Sequence, residues 1–379
     1  MHRLRVELSR CSSAVLRRCN GAARRMCSSA TPPVHQITAD ALAGQLFEPA
    51  VTEVASRGNI LCLHGWTDNS ASFSVLAPRL AREGYRVVAL DFPGHGLSRH
   101  RPEGAGHGYN YCDYTLSVLA AVQALGWHDD CVIVGHSMGA GVATMVGGVL
   151  VESEVQLEHA DRARGEAGSE QQAQQEPQRD EFGRRLPVLE PLPRLRALVL
   201  IEGLGPVSKP AADAPAVLLR HLHSRAALER RKSAPPRTYA SECDAASARV
   251  RTVASHPGQQ TLSHEAALAM VKRGTTSVDG DAVKFIHDPA LLATVPYLVD
   301  EEAVGAYIDA IAGAKVPSLV FRAEHGWPFA GEYWQRRVDR LAPQLVQFDD
   351  ASHHLHIDPE SADSVADRVV AFLDAQAVR

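Results

Sequence analysis

The sequence predicts an α/β fold: a doubly wound, mostly parallel sheet of the eight-stranded type with an inserted helical cap. Short apolar runs rich in β-branched residues alternate with helical stretches, which is the pattern of βαβ units. One of these runs ends in a turn that carries a serine between glycines, Gly135-His136-Ser137-Met138-Gly139. Two later segments interrupt the alternation, and they predict an insertion and a cap rather than further βαβ units.

Six short apolar runs bounded by turn residues are predicted as the core strands. Helices are predicted over residues 73–83 and 114–125, and directly after the serine over 140–146. The less regular residues 45–54 are predicted as an antiparallel edge strand. Functional loops of such a sheet follow the carboxyl ends of its strands. The predicted core strands cover residues 59–63, 85–90, 131–134, 197–201, 318–321 and 345–348.

The two interruptions divide the chain into a core and its additions. Residues 152–185 are rich in Glu, Gln, Arg and Ala, which predicts a polar surface insertion that is disordered or a loose helix. Residues 206–315 have helical periodicity and almost no strand character, so they are predicted as a helical cap over the site. The core then comprises residues 32–205 and 316–379.

Charge is distributed unevenly along the chain. The formal net charge is -5, yet residues 1–31 hold seven arginines against the single acid Glu7. An Arg-rich, Ser- and Ala-rich segment predicts an organellar transit peptide and a mitochondrial or other organellar location. A basic tail on a cytoplasmic protein is the alternative. The acidic remainder argues against nucleic-acid binding.

Composition sets further expectations about partners and environment. No apolar run is predicted to cross a bilayer, so no stable membrane insertion is expected. The seven cysteines lack the spacing of disulfide or metal sites, which favours a reducing compartment. The sequence does not predict an oligomeric state.

Ser137 is predicted to be a nucleophile. A serine hydroxyl is a poor nucleophile at neutral pH, so it needs a base and an anion site around it. The turn that lifts it from the surface crowds its neighbours, and this predicts the need for Gly135 and Gly139. The backbone N–H groups of Met138 and of Trp66, in the loop after residues 59–63, are predicted to form an oxyanion hole.

The base is predicted in the loop after the last strand. His353 stands immediately beyond that strand, His354 is the alternative base, and His356 is expected to be structural. Three histidines in four residues can also bind zinc, but no cysteine or carboxylate pair accompanies them. No metal and no cofactor are therefore expected.

Two glutamates are candidates for the acid that holds the histidine. Glu202 follows the strand over 197–201, and Glu324 follows the strand over 318–321. Both satisfy the chain order serine, acid, histidine. The sequence favours Glu202 and leaves Glu324 open.

The motifs resemble the α/β-hydrolase superfamily, and within it the serine hydrolase-like (kraken-like) family. The resemblance covers most of residues 45–375 outside the polar insertion. It implies that Ser137 is the nucleophile and His353 the base, with Trp66 and Met138 as oxyanion donors. The residues that carry it are His64-Gly65-Trp66-Thr67-Asp68-Asn69, Asp91-Phe92-Pro93-Gly94-His95-Gly96-Leu97-Ser98, the serine turn, and Arg273-Gly274-Thr275-Thr276 in the cap.

One departure bears on the acid. Many relatives carry an aspartate after the next-to-last core strand, where this chain has Gly326. That difference favours Glu202, because related hydrolases can place the acid one strand earlier. Serine in the turn, rather than aspartate, argues against haloalkane dehalogenase or epoxide hydrolase chemistry.

These observations predict a serine hydrolase acting on a small-molecule ester, thioester or related acyl substrate through an acyl-enzyme. Two other classes remain open. One is a binding protein that keeps the fold without the activity, and the other is a non-hydrolytic lyase on the same scaffold.

Overall fold

A computed structural model describes residues 5–7, 34–49, 56–102, 109–167, 192–231, 235–295, 298–329 and 331–377. Within these residues, nine strands form the main sheet in the order β1-β2-β3-β5-β4-β6-β7-β10-β11, and two more form a hairpin. The strands are β1 Arg5–Glu7, β2 Val34–Ala39, β3 Leu42–Phe47, β4 Asn59–Leu63, β5 Arg86–Leu90, β6 Cys131–His136, β7 Leu195–Ile201, β8 Thr275–Ser277, β9 Val283–Phe285, β10 Ser318–His325 and β11 Gln344–Ser352.

Nine α-helices connect or cover these strands within the described residues. Polar side chains cap several of them: Asn110, Ser241, Ser263 and Asp300 each accept a hydrogen bond from an amide in the first helical turn. The helices are α1 Leu76–Arg82, α2 Tyr111–Ala124, α3 Met138–Ala167, α4 Ala214–Arg231, α5 Glu242–Ala254, α6 His264–Gly274, α7 Glu301–Gly313, α8 Gly331–Leu341 and α9 Ala362–Ala377. Short 3-10 helices cover Ser70–Phe73, Ala211–Asp213 and Pro289–Leu292.

The predicted doubly wound, mostly parallel sheet is confirmed. Strands β4 to β7, β10 and β11 pair in parallel, and all six predicted core strands are present. The antiparallel edge predicted over residues 45–54 is present in part. Its strand, β3, pairs antiparallel with β5 but begins earlier, and residues 50–55 lie outside the described residues.

Two edge strands were not predicted. Strand β2 pairs with β3 through a sequence that mixes polar and apolar residues, so it lacks the apolar run of a central strand. Strand β1 pairs antiparallel with β2 and comes from the segment predicted to be a transit peptide. The rest of residues 1–31 lies outside the described residues.

The core lies on both faces of the sheet, because the central strands are buried on both sides. Helices α2, α3 and α7 cover one face, where Val118, Val146 and Ile308 are buried. Helices α1 and α9 cover the other, where Leu80 and Val369 are buried. Layers of helix on both faces of a parallel sheet explain the continuous apolar character of β4, β6 and β7.

Helix α3 is longer than the sequence suggested. It runs through Ala167, so the polar insertion predicted from residue 152 begins as an extension of this helix. Its remainder, over residues 168–185, lies outside the described residues. The stretch Met138–His159 has the length and hydropathy of a bilayer-spanning helix, but 67% of its most apolar window is buried against the core.

The segment predicted as a helical cap, residues 206–315, differs from the prediction in two ways. Strands β8 and β9 form an antiparallel hairpin, which the expectation of almost no strand character missed. Helix α7 packs against α3 and buries Val304, Ile308 and Ile311 in the main core, so it belongs to the core and not to the cap. We use the word cap for α4, α5, α6 and the β8-β9 hairpin.

The topology determines where a site can form. Strands β6, β7, β10 and β11 are neighbours and run parallel, so their carboxyl ends meet at one edge of the sheet. Ser137, Glu202 and His353 each follow directly after one of these strands. Three residues far apart in the chain therefore converge at this edge.

Candidate active site

The turn at Ser137 brings backbone segments into very close contact. Ser137 has φ of 52°, and its amide donates to the carbonyl of Ile201 at 2.9 Å. A Cβ added at Gly135 would lie 2.5 Å from the carbonyl oxygen of Gly139, and one added at Gly139 would lie 2.1 Å from that of Leu63. Both approaches are shorter than van der Waals contact, which is the physical reason for glycine at these two positions.

Ser137, His353 and Glu202 form one hydrogen-bonded chain. The hydroxyl oxygen of Ser137 lies 2.9 Å from Nε2 of His353. Nδ1 of the same ring lies 2.9 Å from Oε2 of Glu202. When Nδ1–H donates to the carboxylate, Nε2 is left free to accept the serine proton, and this is the arrangement that serine hydrolysis requires.

The carboxylate of Glu202 is fully buried and accepts three hydrogen bonds. Besides His353, it accepts hydrogen bonds from the amides of Ala323 at 2.7 Å and Trp327 at 3.0 Å. Burial by itself raises the pKa of Glu202, but the bonds from His353 and the two amides outweigh it, so the pKa lies below its ordinary value. The carboxylate is therefore charged beside His353.

Glu324, the alternative acid, lies elsewhere. Its side chain is exposed and accepts a hydrogen bond from the amide of Asp350 at 3.1 Å. The space beside His353 is instead bounded by Gly326, where an added Cβ would lie 2.0 Å from Oε2 of Glu202. The structure thus brings Glu202, and not Glu324, to the histidine.

The neighbouring histidines have other surroundings. Burial lowers the pKa of His353, while its bond to Glu202 raises it. His354, the alternative base, directs Nε2 towards Asp68 at 3.6 Å, and burial lowers its pKa to about 4. His356 is fully buried, and neither ring nitrogen has a hydrogen-bond partner among the described residues. Only His353 reaches Ser137.

Sequence reasoning missed three residues that support this arrangement. Nε2 of His136 donates to the carbonyl of His353 at 2.9 Å. Nδ1 of His136 lies 3.5 Å from Asp68, and Arg249 on α5 forms a hydrogen-bonded ion pair with the same carboxylate. His136 and Asp68 lie inside the quoted motifs, but their partners are remote in sequence, so no local signal pointed to the pairing.

The two amides predicted as oxyanion donors border one cavity with Ser137. Met138 is the first residue of α3, so its N–H is among the helix amides that have no helical acceptor. The amide of Trp66 has no hydrogen-bond acceptor within the part of the chain that the structure describes. The loop carrying Trp66 starts at β4, whose last carbonyl touches Gly139, so the two donors belong to adjacent segments.

The cavity above Ser137 has a volume of about 630 Å³ and is lined mainly by apolar side chains. Helix α4 contributes Val217, and the segment after α6 contributes Leu291 and Val295. Polar groups also line it, among them Arg249 and Gln260 on the side formed by α5 and the loop after it, and Arg220 on α4. A cavity of this size and character fits a small molecule with an apolar chain.

Comparison with known proteins agrees with this architecture. Residues 58–156 match the family described as alpha/beta hydrolase fold. A hypothetical protein from Pseudomonas aeruginosa PAO1 has a similar solved structure, with a TM-score of 0.65 and 29% identity over 91% of this chain and 98% of that one. The chain is an α/β-hydrolase-fold protein.

Within this class, the chain is similar over part of its length to serine hydrolase-like proteins. It is 45% identical over 121 residues to a serine hydrolase-like protein of Danio rerio, a match covering 31% of this chain and 34% of the relative. It is 42% identical over 86 residues to serine hydrolase-like protein 2 of Homo sapiens, covering 23% and 26%. The chain thus matches about a third or less of the length of these two relatives.

Proposed function

We propose that this protein is a serine hydrolase that cleaves an ester, a thioester or a related small acyl substrate. The observation that carries the proposal is the continuous chain from Ser137 through His353 to the buried Glu202, with both hydrogen bonds at 2.9 Å. Ser137, at the end of this hydrogen-bonded series, borders an apolar cavity of about 630 Å³ that can hold an acyl group. The serine hydrolase-like relatives support the same class of reaction.

In the proposed mechanism, Oγ of Ser137 attacks the acyl carbon while His353 takes its proton. The charged Glu202 stabilises the imidazolium that forms and keeps the ring in the productive tautomer. The amides of Trp66 and Met138 bind the oxygen that becomes negative. His353 then delivers its proton to the leaving alcohol or thiol, and the acyl group remains on Ser137.

Water completes the cycle by the reverse proton transfers. His353 accepts a proton from water as the water oxygen attacks the acyl carbon, and it returns that proton to Oγ of Ser137 as the acid is released. No other reactant is required. The cavity and not the triad selects the acyl group, so the substrate is defined by the cap side chains that line it.

A fluorophosphonate probe tests the proposal directly. We expect the purified chain to be labelled and Ser137→Ala to lose both labelling and hydrolysis of p-nitrophenyl esters and acyl thioesters. Ser74→Ala is a matched control, because Ser74 is an exposed serine, and it should be labelled like the parent protein. Labelling that persists in Ser137→Ala would exclude the assignment.

The two other classes give different results in the same experiment. A binding protein without activity would leave the parent protein unlabelled and every ester intact. A lyase would release product from its substrate without an acyl-enzyme that mass spectrometry detects on Ser137. Either result would contradict the proposed hydrolase activity and favour the corresponding class instead.

A further inference from the structure

Helix α4 exposes a group of large apolar side chains on the outer surface of the cap. Leu218, Leu219 and Leu222 are 49%, 54% and 56% exposed. Val217 and His221, each turned by about 100° from the leucine that follows it, are buried. Since residues three or four apart share a helix face, Leu218 and Leu222 stack on the outside with Leu219 beside them. A grouped apolar face of this kind marks an interaction surface.

Basic residues accompany these leucines. Helix α4 contains four arginines and one glutamate, in a chain whose formal net charge is -5. Arg220, Arg230 and Arg231 are exposed, and Arg225 lies 3.8 Å from Glu229. At about 100° per residue, Arg225 and Arg230 flank the three leucines, one on each side of them. The leucine face of α4 is therefore bordered by arginines.

The same helix also forms a wall of the cavity above Ser137. Val217 and Arg220 line that cavity, as does Leu292 of the 3-10 helix Pro289–Leu292, which packs against α4. Leu292 is 50% exposed, so apolar surface continues from the cavity lining to the outside of the cap. Whatever binds the outer face of α4 is brought close to the cavity.

We propose that the outer face of α4 binds an anionic lipid surface. Exposed leucines bordered by arginines match the two parts of such a surface, because leucines enter the acyl boundary and arginines meet anionic headgroups. A second copy of the chain would bring one positively charged helix against another, which is unfavourable. An acidic protein would pair with the arginines but would leave unexplained the grouping of three leucines on the exposed face.

This inference extends the proposed function without depending on it for binding. If Ser137 cleaves an ester, then the cavity beside α4 receives an acyl ester from the lipid surface rather than from solution. Long-chain esters held in anionic vesicles become the expected substrate class. Binding to vesicles is a separate property that an inactive protein would retain.

Sedimentation with vesicles tests the binding. The full chain carrying Ser137→Ala should bind phosphatidylcholine vesicles that contain phosphatidylserine, and bind pure phosphatidylcholine vesicles far less. Combining Leu218→Ser, Leu219→Ser and Leu222→Ser should lower the apparent affinity at least about tenfold, since three leucines no longer enter the lipid. Leu116→Ser is the matched control, because Leu116 is 66% exposed on α2 and lies outside the cavity lining.

A second variant separates charge from apolar contact. Arg225→Glu combined with Arg230→Glu should weaken binding to anionic vesicles, and added salt should weaken binding of the parent protein in the same direction. Equal affinity of the parent and both variants, or equal binding to the two vesicle types, would overturn the proposal. So would a parent protein that forms dimers lost in the leucine variant while binding neither vesicle.

Activity distinguishes the binding inference from the proposed hydrolase. With Ser137 intact, the leucine variant should cleave a short soluble p-nitrophenyl ester at the parent rate and a long-chain ester in anionic vesicles at least about tenfold more slowly. Vesicle binding without any ester cleavage would contradict the proposed hydrolase activity and still support lipid binding by α4. If the leucine variant cleaves both esters at parental rates, the lipid-binding proposal is contradicted and the hydrolase proposal is not.

Discussion

Gly326 and Glu202 share one space beside the imidazole of His353. A Cβ added at Gly326 would lie 2.0 Å from Oε2 and 2.5 Å from Cδ of Glu202, well inside van der Waals contact. The two residues follow neighbouring parallel strands, β10 and β7, and Glu202 reaches across to fill the position next to His353. A carboxylate can therefore occupy this space from one of the two strands, but not from both.

Gly326→Ala is expected to reduce kcat strongly while leaving the fold intact. The added methyl group must displace the Glu202 carboxylate, so His353 loses the partner that orients it and stabilises its charged form. We expect a fall of at least about a hundredfold in kcat, measured with a p-nitrophenyl ester or acyl thioester that the parent protein hydrolyses. Gly331→Ala is the control, because a Cβ there meets nothing within 4 Å. An unchanged kcat would show that the carboxylate has room to move.

Moving the acid from one strand to the other should restore part of the lost activity. Glu202→Gly removes the carboxylate, and glycine suits the φ of 52° at this position. Adding Gly326→Asp then supplies a carboxylate from β10 into the vacated space. The double variant should have a higher kcat than Glu202→Gly alone. A double variant no more active than the single one would mean that the β10 position cannot reach His353.

Substituting the two glutamates separately should give very different rates. Glu202→Gln keeps the shape of the side chain but removes the charge that stabilises the imidazolium, so kcat should fall by roughly 10³ to 10⁴-fold. Glu324→Gln should stay close to the parent rate, since Glu324 is exposed and bonds the amide of Asp350. Comparable losses in the two variants would contradict the assignment of the acid.

Removing Arg249 should destabilise the fold and disturb the site together. Its guanidinium pairs with the buried Asp68 and donates to the carbonyl of Thr67 at 3.0 Å, next to the predicted oxyanion loop. Arg249→Met leaves the buried charge of Asp68 without its arginine partner, so urea denaturation should show a loss of about 3 kcal/mol in the free energy of unfolding. Arg251→Met, an exposed arginine on the same helix, should change it little.

A second substitution identifies the cause of that loss. If the unpaired charge of Asp68 is responsible, adding Asp68→Asn to Arg249→Met should recover part of the unfolding free energy. A double variant less stable than Arg249→Met would indicate that packing, and not charge, dominates.

The free energy of unfolding should fall as the solution is acidified. Burial lowers the pKa of His353, His354 and His356, so the unfolded chain binds protons that the folded chain does not. Stability is therefore lost as pH falls below the unfolded value of about 6.5, and for His354 the loss continues to its folded pKa of about 4. The lowered pKa values of Asp68 and Glu202 act in the same direction at lower pH.

Urea denaturation across this pH range tests whether acidification lowers the free energy of unfolding and whether the buried histidines cause the loss. His354→Gln should show a weaker pH dependence than the parent protein, because one buried titrating group is gone. His128→Gln is the control, since His128 is exposed. A free energy of unfolding that rises on acidification would contradict the expectation.

The site was predictable wherever its determinants are local in sequence. The strand, turn and helix around Ser137 follow from apolar residues, two glycines and small residues within one short stretch. The candidate base follows from its place after the last strand. Local patterns also identified every parallel core strand. They failed for β2, whose residues mix polar and apolar types, and for the short hairpin β8-β9, which is too brief to show a period.

Other features depended on the tertiary structure. Whether α7 joins the cap or the core depends on packing against α3, which its helical period does not reveal. The pairing of Asp68 with Arg249 joins residues about 180 positions apart, and no local pattern encodes such a contact.

The sequence by itself determined the fold class, the serine turn with its two required glycines, and the histidine candidates, because each rests on short-range pattern and backbone sterics. Only the tertiary structure decided between Glu202 and Glu324. Both lie at the carboxyl ends of core strands in the permitted order, and the choice depends on which carboxylate reaches His353 through space. Gly326 leaves that space open, the amides of Ala323 and Trp327 bind the carboxylate there, and the side chain that fills it comes from Glu202.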